Sequence, residues 1–297
     1  MHDLLTWFYP LLLDLTRVGI WFVAVCVIFI PLERIFAARK QKVLRKQLGN
    51  DCAYFVMSWI LPPVLMAPVL ALVYWVSRGL IPEAFFAAVA AIPFWQRAIL
   101  ALILGDVGYY WGHRALHTVP LLWRFHSVHH SAEELDFLID LRMHPVDMLF
   151  GRLSGLIPVY ALGLGAPTGV GSLVPALIAI TGTLWGFFIH ANLRFRYGPV
   201  EWLFGTPPFH RWHHALRPAN QNYAALWPWI DMIFGTYYAP KGESPAAYGI
   251  DSVMPEELSA QLLDPFLGPV RPAVAVPAAS VASASATAGV AADERAV

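Results

Sequence analysis

Three short stretches carry most of the histidine in this chain: HRALH (His113, His117), HSVHH (His126, His129, His130) and HRWHH (His210, His213, His214). An i, i+4 or i, i+3, i+4 spacing puts the rings on one face of a helix, with β-carbons about 6 Å apart. Neutral imidazole is the commonest nitrogen donor to a transition metal. The boxes hold eight histidines, and one zinc rarely takes more than four protein ligands, so two metals fit the count. His190 in FFIHANL makes nine, and His144 in LRMHPVD would make ten. A lone histidine is more often a packing or surface residue than a ligand. That reading removes His2 and leaves His144 balanced between the two roles.

Imidazole suits iron, copper, nickel and zinc, so ligand type alone does not choose the metal. No clustered Asp and Glu accompany the boxes, which excludes the carboxylate bridge of ferritin-like bundles. HRALH lacks the glutamate of a zinc-peptidase HExxH, so no general base sits in that motif. A histidine-rich pair of irons at a membrane face suits oxygen activation against a lipid C–H bond. Asp106, Asp140, Asp147, Asp231 and Asn222 are candidates to fix the tautomers of such ligands from behind. Asp106, Tyr110, His113 and His117 fall at i, i+4, i+7 and i+11, so Asp106 shares the ligand face. An acid inside a span is a functional suspect; a cap on a neighbouring helix is its other reading.

The elements that must position these residues are apolar. Hydrophobic residues make up 58% of the 297 and charged residues only 13%, about half the soluble average. The formal net charge is zero, and nothing in it points to nucleic acid. Cys26 and Cys52 have no metal-type spacing and predict no disulfide scaffold. MHDLLTWF lacks a basic leader, so the N-terminus is expected to stay in the membrane.

A helix needs about 20 mostly apolar residues to cross a bilayer. Leu11 to Ile30 supplies one run, with Asp14 and Arg17 one turn apart and able to pair. Tyr54 to Val76 supplies a second, with Pro62, Pro63 and Pro68 as sources of a bend. Phe94 to Trp111 is a shorter third, while Val146 to Gly165 and Val170 to His190 give a fourth and fifth joined by GAPTG. The fourth, rich in glycine, has a re-entrant alternative.

The loop after the first run holds Arg34, Arg39, Lys40, Lys42, Arg45 and Lys46 against Glu33, and positive-inside bias puts it in the cytosol. Counting crossings from there brings every histidine box to the same face, whether the hairpin spans or re-enters. Tyr109 to Trp111 reads as interfacial belt and packing, and Arg114, Arg124 and Arg211 as snorkelling or headgroup contacts. The Ala-, Val-, Pro- and Ser-rich tail after about residue 267 reads as disordered.

From Leu104 to Tyr238 the chain resembles the fatty acid hydroxylase / sterol desaturase superfamily of integral membrane di-iron enzymes. The resemblance rests on DVGYYWGHRALH, WRFHSVHHSAEELDFLIDLRMHP, FFIHANLRF and TPPFHRWHHALRPANQNYAALWPWIDMIFGTYY. It implies an all-α fold, a multi-span membrane bundle with a cytosolic-face helical cap holding a dimetal site. It carries ligand roles onto the eight boxed histidines and His190. Gly186 stands where some members have a further histidine, which leaves His144 or water for a tenth position. Two irons, O2 as co-substrate, a lipid substrate (sterol, fatty acyl, ether lipid or carotenoid) and hydroxylation or desaturation of a C–H bond are the implied chemistry. No fused haem domain is visible, so a separate donor is expected, ferredoxin-like or a cytochrome b-type protein with a reductase. Residues 1–93 then form N-terminal spans and a basic loop, 94–240 the catalytic domain and 241–297 an extension.

Three other classes compete. A metal transporter or buffer needs polar groups along its spans. A bis-histidine haem protein needs single histidines facing each other across spans, and a non-catalytic lipid-binding scaffold would have no use for complete boxes.

Overall fold

A computed structural model describes residues 2–166 and 170–268. The GAPTG turn lies partly outside these residues, and the expected disorder of the tail falls outside them, from 269 onward. The described chain is helical: α1 (His2–Ile35), α2 (Leu48–Leu80), α3 (Glu83–Ala91), α4 (Phe94–Thr118), α5 (Pro120–His130), α6 (Pro145–Ala161), α7 (Leu173–His190), α8 (Pro207–His213), α9 (Pro228–Ile233) and α10 (Leu258–Leu267). No strand forms among the described residues, and two isolated bridges, Ala37 with Leu193 and Ala215 with Tyr248, tie loops together.

The apolar residues face outward along the long helices. Ile20 and Val27 of α1 and Val64 and Trp75 of α2 are each more than 60% exposed, an arrangement water would penalise and a lipid bilayer covers. Three helices are long and apolar enough to cross a membrane: Leu12–Ile35, Leu48–Leu80 and Leu173–His190. Pro62, Pro63 and Pro68 lie inside α2, which runs on through them as one helix.

Five apolar runs were expected, the fourth with a re-entrant alternative; three qualify by length and apolarity, or four if the bent pair α3 and α4 is one span. The third run forms part of α4, which qualifies only together with α3, and that pair is bent by 113°. The physical reason is the second half of α4, where Asp106, Arg114, His113 and His117 dilute the apolar character. The fourth run is α6, with 17 residues, about 26 Å of helix against a hydrocarbon core of about 30 Å.

α4 and α6 approach closely because glycine faces glycine or serine. A β-carbon on Gly108 would collide with the Ser154 carbonyl, and one on Gly155 would stand 2.9 Å from the Gly105 carbonyl. Small residues at such a seam are what membrane helices use to bring backbones together. The C-terminal ends of α1, α4 and α7 and the N-terminal ends of α2 and α6 converge at one end of the bundle. α5, α8, α9 and the loops between them cap that end, where the boxes meet.

Candidate metal centre

The cap brings nine histidines into two adjoining groups. His113, His117, His126, His130 and His213 form one, and His129, His190, His210 and His214 the other; within each, one ring nitrogen per residue lies within 4.8 Å of all the rest. All nine are buried. The groups touch through His130 and His214, whose rings stack at 4.4 Å. His129 and His130, neighbours in one box, therefore serve different groups. His144 joins neither. Its Nδ1 accepts from the Val146 N–H at 3.1 Å and caps α6, while Nε2 donates to the Leu262 carbonyl at 3.1 Å. Both of its nitrogens are committed, so the histidine weighed as a tenth ligand serves as a helix cap.

The tautomers follow from the partners. Backbone carbonyls only accept, so a ring nitrogen facing one must carry the proton. His113 Nδ1 donates to the Tyr223 carbonyl at 2.7 Å and His213 Nδ1 to that of Gln221 at 2.8 Å. His129 Nδ1 donates to the Arg142 carbonyl at 3.2 Å and His190 Nδ1 to that of Gly186 at 2.8 Å. In these four rings Nε2 is a bare lone pair. Yet His129 Nε2 and His190 Nε2 stand 3.3 Å apart. Two lone pairs at that distance repel unless a cation lies among them. A proton does not serve, because burial, and then repulsion from neighbouring imidazoles, holds His129, His130, His210 and His214 well below the ordinary histidine value. The donor set thus fits transition-metal ions, two groups for two ions.

Of the five proposed supporting residues, Asp147 touches a ring directly: its carboxylate lies 3.0 Å from His126 Nδ1. Burial pushes Asp147 up to about 7, and a cation on the far side of His126 would favour the carboxylate form. Asp140 lies 3.5 Å from His190 Nδ1. It also explains Gly186, since a β-carbon there would stand 2.6 Å from the Asp140 carboxyl carbon. The space a further histidine would need is filled by this acid.

Asp106, Asp231 and Asn222 contact no histidine; they work one step back. Asp106 accepts the N–H groups of Ala225, Leu226 and Trp227, between 2.8 and 3.1 Å. Asp231 accepts those of Tyr223 and Ala224 at 2.7 and 2.9 Å. Asn222, in the left-handed conformation at φ 59, donates to the Phe209 and Tyr238 carbonyls. Together they clamp residues 221–227, whose carbonyls at 221 and 223 hold His213 and His113.

Sequence reasoning missed a second clamp, built by the N-terminal helices. Glu33 accepts the N–H of Phe137 at 3.0 Å and of Asn192 at 2.9 Å, fixing the chain just beyond His190. Arg45, buried, spans Asp136 at 2.6 and 2.9 Å and Asp51 at 2.5 Å. Asp51 then lies 3.5 Å from Arg142, whose carbonyl holds His129. Arg45 looked like one more charge of a positive-inside loop, and nothing local distinguishes it from Lys40 or Lys42. The interleaved arginines are corrected in the same way. Arg211 is buried and donates to the Leu193 carbonyl at 2.8 Å, Arg124 donates to that of Gly268 at 2.8 Å, and Arg114 donates to the Tyr110 hydroxyl at 3.1 Å. Each guanidinium has a partner within the protein, where snorkelling or headgroup contacts had been expected.

Residues 98–236 match the family model described as fatty acid hydroxylase. This core, with its two histidine groups, is thus similar to the fatty acid hydroxylase family over 98–236, a little under half of the chain. An ornithine lipid hydroxylase of Rhizobium tropici is 36% identical over 176 residues, 59% of this chain and 51% of that protein. The alkylglycerol monooxygenase of Homo sapiens is 32% identical over 154 residues, covering 49% of this chain and 31% of its own. A very-long-chain aldehyde decarbonylase of Oryza sativa subsp. indica is 32% identical over 165 residues, 49% of this chain and 55% of that protein. The match therefore spans about half or less of each of these relatives. No solved structure matches the chain.

Proposed function

We propose that this chain is a membrane-bound di-iron oxygenase that uses O2 to hydroxylate or desaturate a C–H bond of a lipid, with its metals at the cytosolic face. The observation that carries the reading is the pair of histidine groups whose unprotonated Nε2 atoms converge. In the five-histidine group iron is preferred to zinc, because five nitrogen donors exceed what a tetrahedral zinc uses. Hydroxylation is the favoured outcome, since two of the relatives reported above are named as a hydroxylase and a monooxygenase. The cytosolic assignment is supported by the basic loop 36–47, which packs on the same cap. The Ala38 N–H bonds to the Asn192 carbonyl and Gln41 Nε2 to that of Leu135.

Two irons held in this way would supply the reduction of dioxygen and the oxidising power that an unactivated C–H bond demands. The protein's own part is geometry and dryness. His113, His117, His126, His130 and His213 would hold one ion; His129, His190, His210 and His214 would hold the other. The 221–227 loop and the Arg45 clamp keep Nδ1 of the anchoring rings protonated, which leaves Nε2 free to bind. Asp147 raises the basicity of His126 through its Nδ1 hydrogen. Buried rings such as Tyr223, packed on His113 and His117, limit the water that reaches the groups. Electrons would come from a separate donor, ferredoxin-like or a cytochrome b-type protein with its reductase.

A metal-transport or buffering role is not favoured, because the nitrogens gather in one buried cap and do not line a path along the spans. Lipid profiles of cells carrying the active chain or its His129→Ala variant test the reading. The account expects a hydroxylated or desaturated lipid only with the active chain, while the variant stays in the membrane and loses product. Identical profiles with both chains, in cells shown to contain the lipid precursors, would count against it.

A further inference from the structure

The two histidine groups differ in their contact with water. A small cavity of about 20 Å³ opens at the surface of the cap and reaches His117, His130 and His213, all of the five-histidine group, and none of the other four. That volume holds about one water molecule. Ala215, Leu216, Ala219 and Ile250 make much of its lining apolar, and one charged pair lies among them, Arg217 and Asp251, 2.6 Å apart with side chains 59% and 55% exposed. Asn220 lines the wall and hydrogen-bonds His117. A lipid chain would find charges at this entrance, whereas a hydrated cation would find an oxygen donor.

We propose that this cavity is an aqueous port through which ferrous iron enters and leaves the five-histidine group, with Asp251 as the first ligand it meets. The inference rests on the di-iron reading. Asp251 is a hard carboxylate, the donor type that a hydrated divalent cation accepts first, and the ion would displace Arg217 from it. The cavity is too narrow for an ion with its full water shell, so waters must be lost one at a time as imidazoles replace them. His130 and His213, whose Nε2 atoms are 3.0 Å apart, face that path. The four-histidine group has no lining residue in the port, so its ion exchanges only when the cap opens.

The test follows metal release and needs no turnover. Protein reconstituted with labelled ferrous iron in detergent is challenged with excess unlabelled ferrous iron, and the retained label is measured over time. Two equivalents, one exchanging fast and one slowly, are expected. Asp251→Ala removes the first ligand and unlatches Arg217. An exposed ion pair is worth up to about 1 kcal/mol, so the fast phase should change by up to about fivefold, with the slow phase unmoved. Ala219→Phe, which narrows the port, should slow the fast phase alone. Two equivalents leaving at one common rate would overturn the port, as would a fast phase indifferent to both substitutions. A total of one equivalent would contradict the di-iron reading instead; the port would still be decided by whether that equivalent's rate responds to the two variants.

Discussion

Arg45→Met tests the clamp that the N-terminal helices place on the metal centre. The guanidinium lies within 2.6 Å of Asp136 and 2.5 Å of Asp51, with all three side chains at most 10% exposed. Its charge is held above the ordinary arginine value: burial works against it, and pairing with Asp136 and Asp51 outweighs that cost. Removing one partner of a buried pair leaves the other charge uncompensated and costs about 3–5 kcal/mol. Domain stabilities of about 5–15 kcal/mol make that a large fraction.

The damage should not be uniform. Asp51 loses the partner that sets its position beside Arg142, and Arg142 holds His129, so iron should be lost first from the four-histidine group. The assay is denaturant unfolding in detergent combined with iron content per chain. Arg45→Met should fall by several kcal/mol and retain about one equivalent. The triple variant that also carries Asp51→Asn and Asp136→Asn should recover part of the stability, because no buried charge then lacks a partner. Arg217→Ala, at an exposed pair, should cost at most about 1 kcal/mol. If Arg45→Met costs no more than Arg217→Ala, the clamp is not what holds His129.

Two further predictions follow from the histidine environments. Asp147→Asn keeps an oxygen facing His126 Nδ1 but removes the charge, and should weaken metal binding by about 10- to 100-fold while leaving unfolding of the metal-free protein nearly unchanged; an unaltered metal affinity in a competition titration would contradict the role. The second concerns acid. Burial depresses His126, His129, His130, His210, His213 and His214 far below their ordinary value, so below pH about 6.5 the unfolded chain binds protons that the native state refuses. Each of these rings then costs up to about 1.4 kcal/mol at one pH unit below that value. Asp140 and Asp147, raised to about 7 by burial, act in the opposite sense by about 2 kcal/mol each, and the six histidines outweigh them. The metal-free protein should therefore lose stability between pH 7.5 and 5.5 in denaturant titrations; constant or rising stability would contradict the buried neutral rings.

How much of this could be read beforehand depends on the range over which each residue acts. The boxes are legible because an i, i+4 pair on a helix shares a face whatever surrounds it; the eight imidazoles chosen on that basis converge, and the single His190 joins them. His144 was ambiguous for the opposite reason: a histidine before Pro145 can cap a helix or bind a metal, and only the Val146 and Leu262 contacts decide. The partners that set the tautomers were invisible, since the carbonyls of Tyr223, Arg142, Gly186 and Gln221 belong to residues of any type. Asp106 shares the ligand face by spacing, yet its carboxylate turns to the amides of 225–227, which lie more than a hundred positions away in the chain. The Arg45–Asp136 contact bridges a comparable gap. Apolar composition gave the membrane helices, but their number was less legible: three helices are long and apolar enough to span, or four if the bent pair α3 and α4 is one span.

Iron stoichiometry with X-ray absorption reads the paired centre itself. Two irons per chain are expected after anaerobic reconstitution, each ligated mainly by imidazole nitrogen, with O2 consumed once the protein is reduced. One iron or none, or a shell dominated by sulfur, would contradict the di-iron reading.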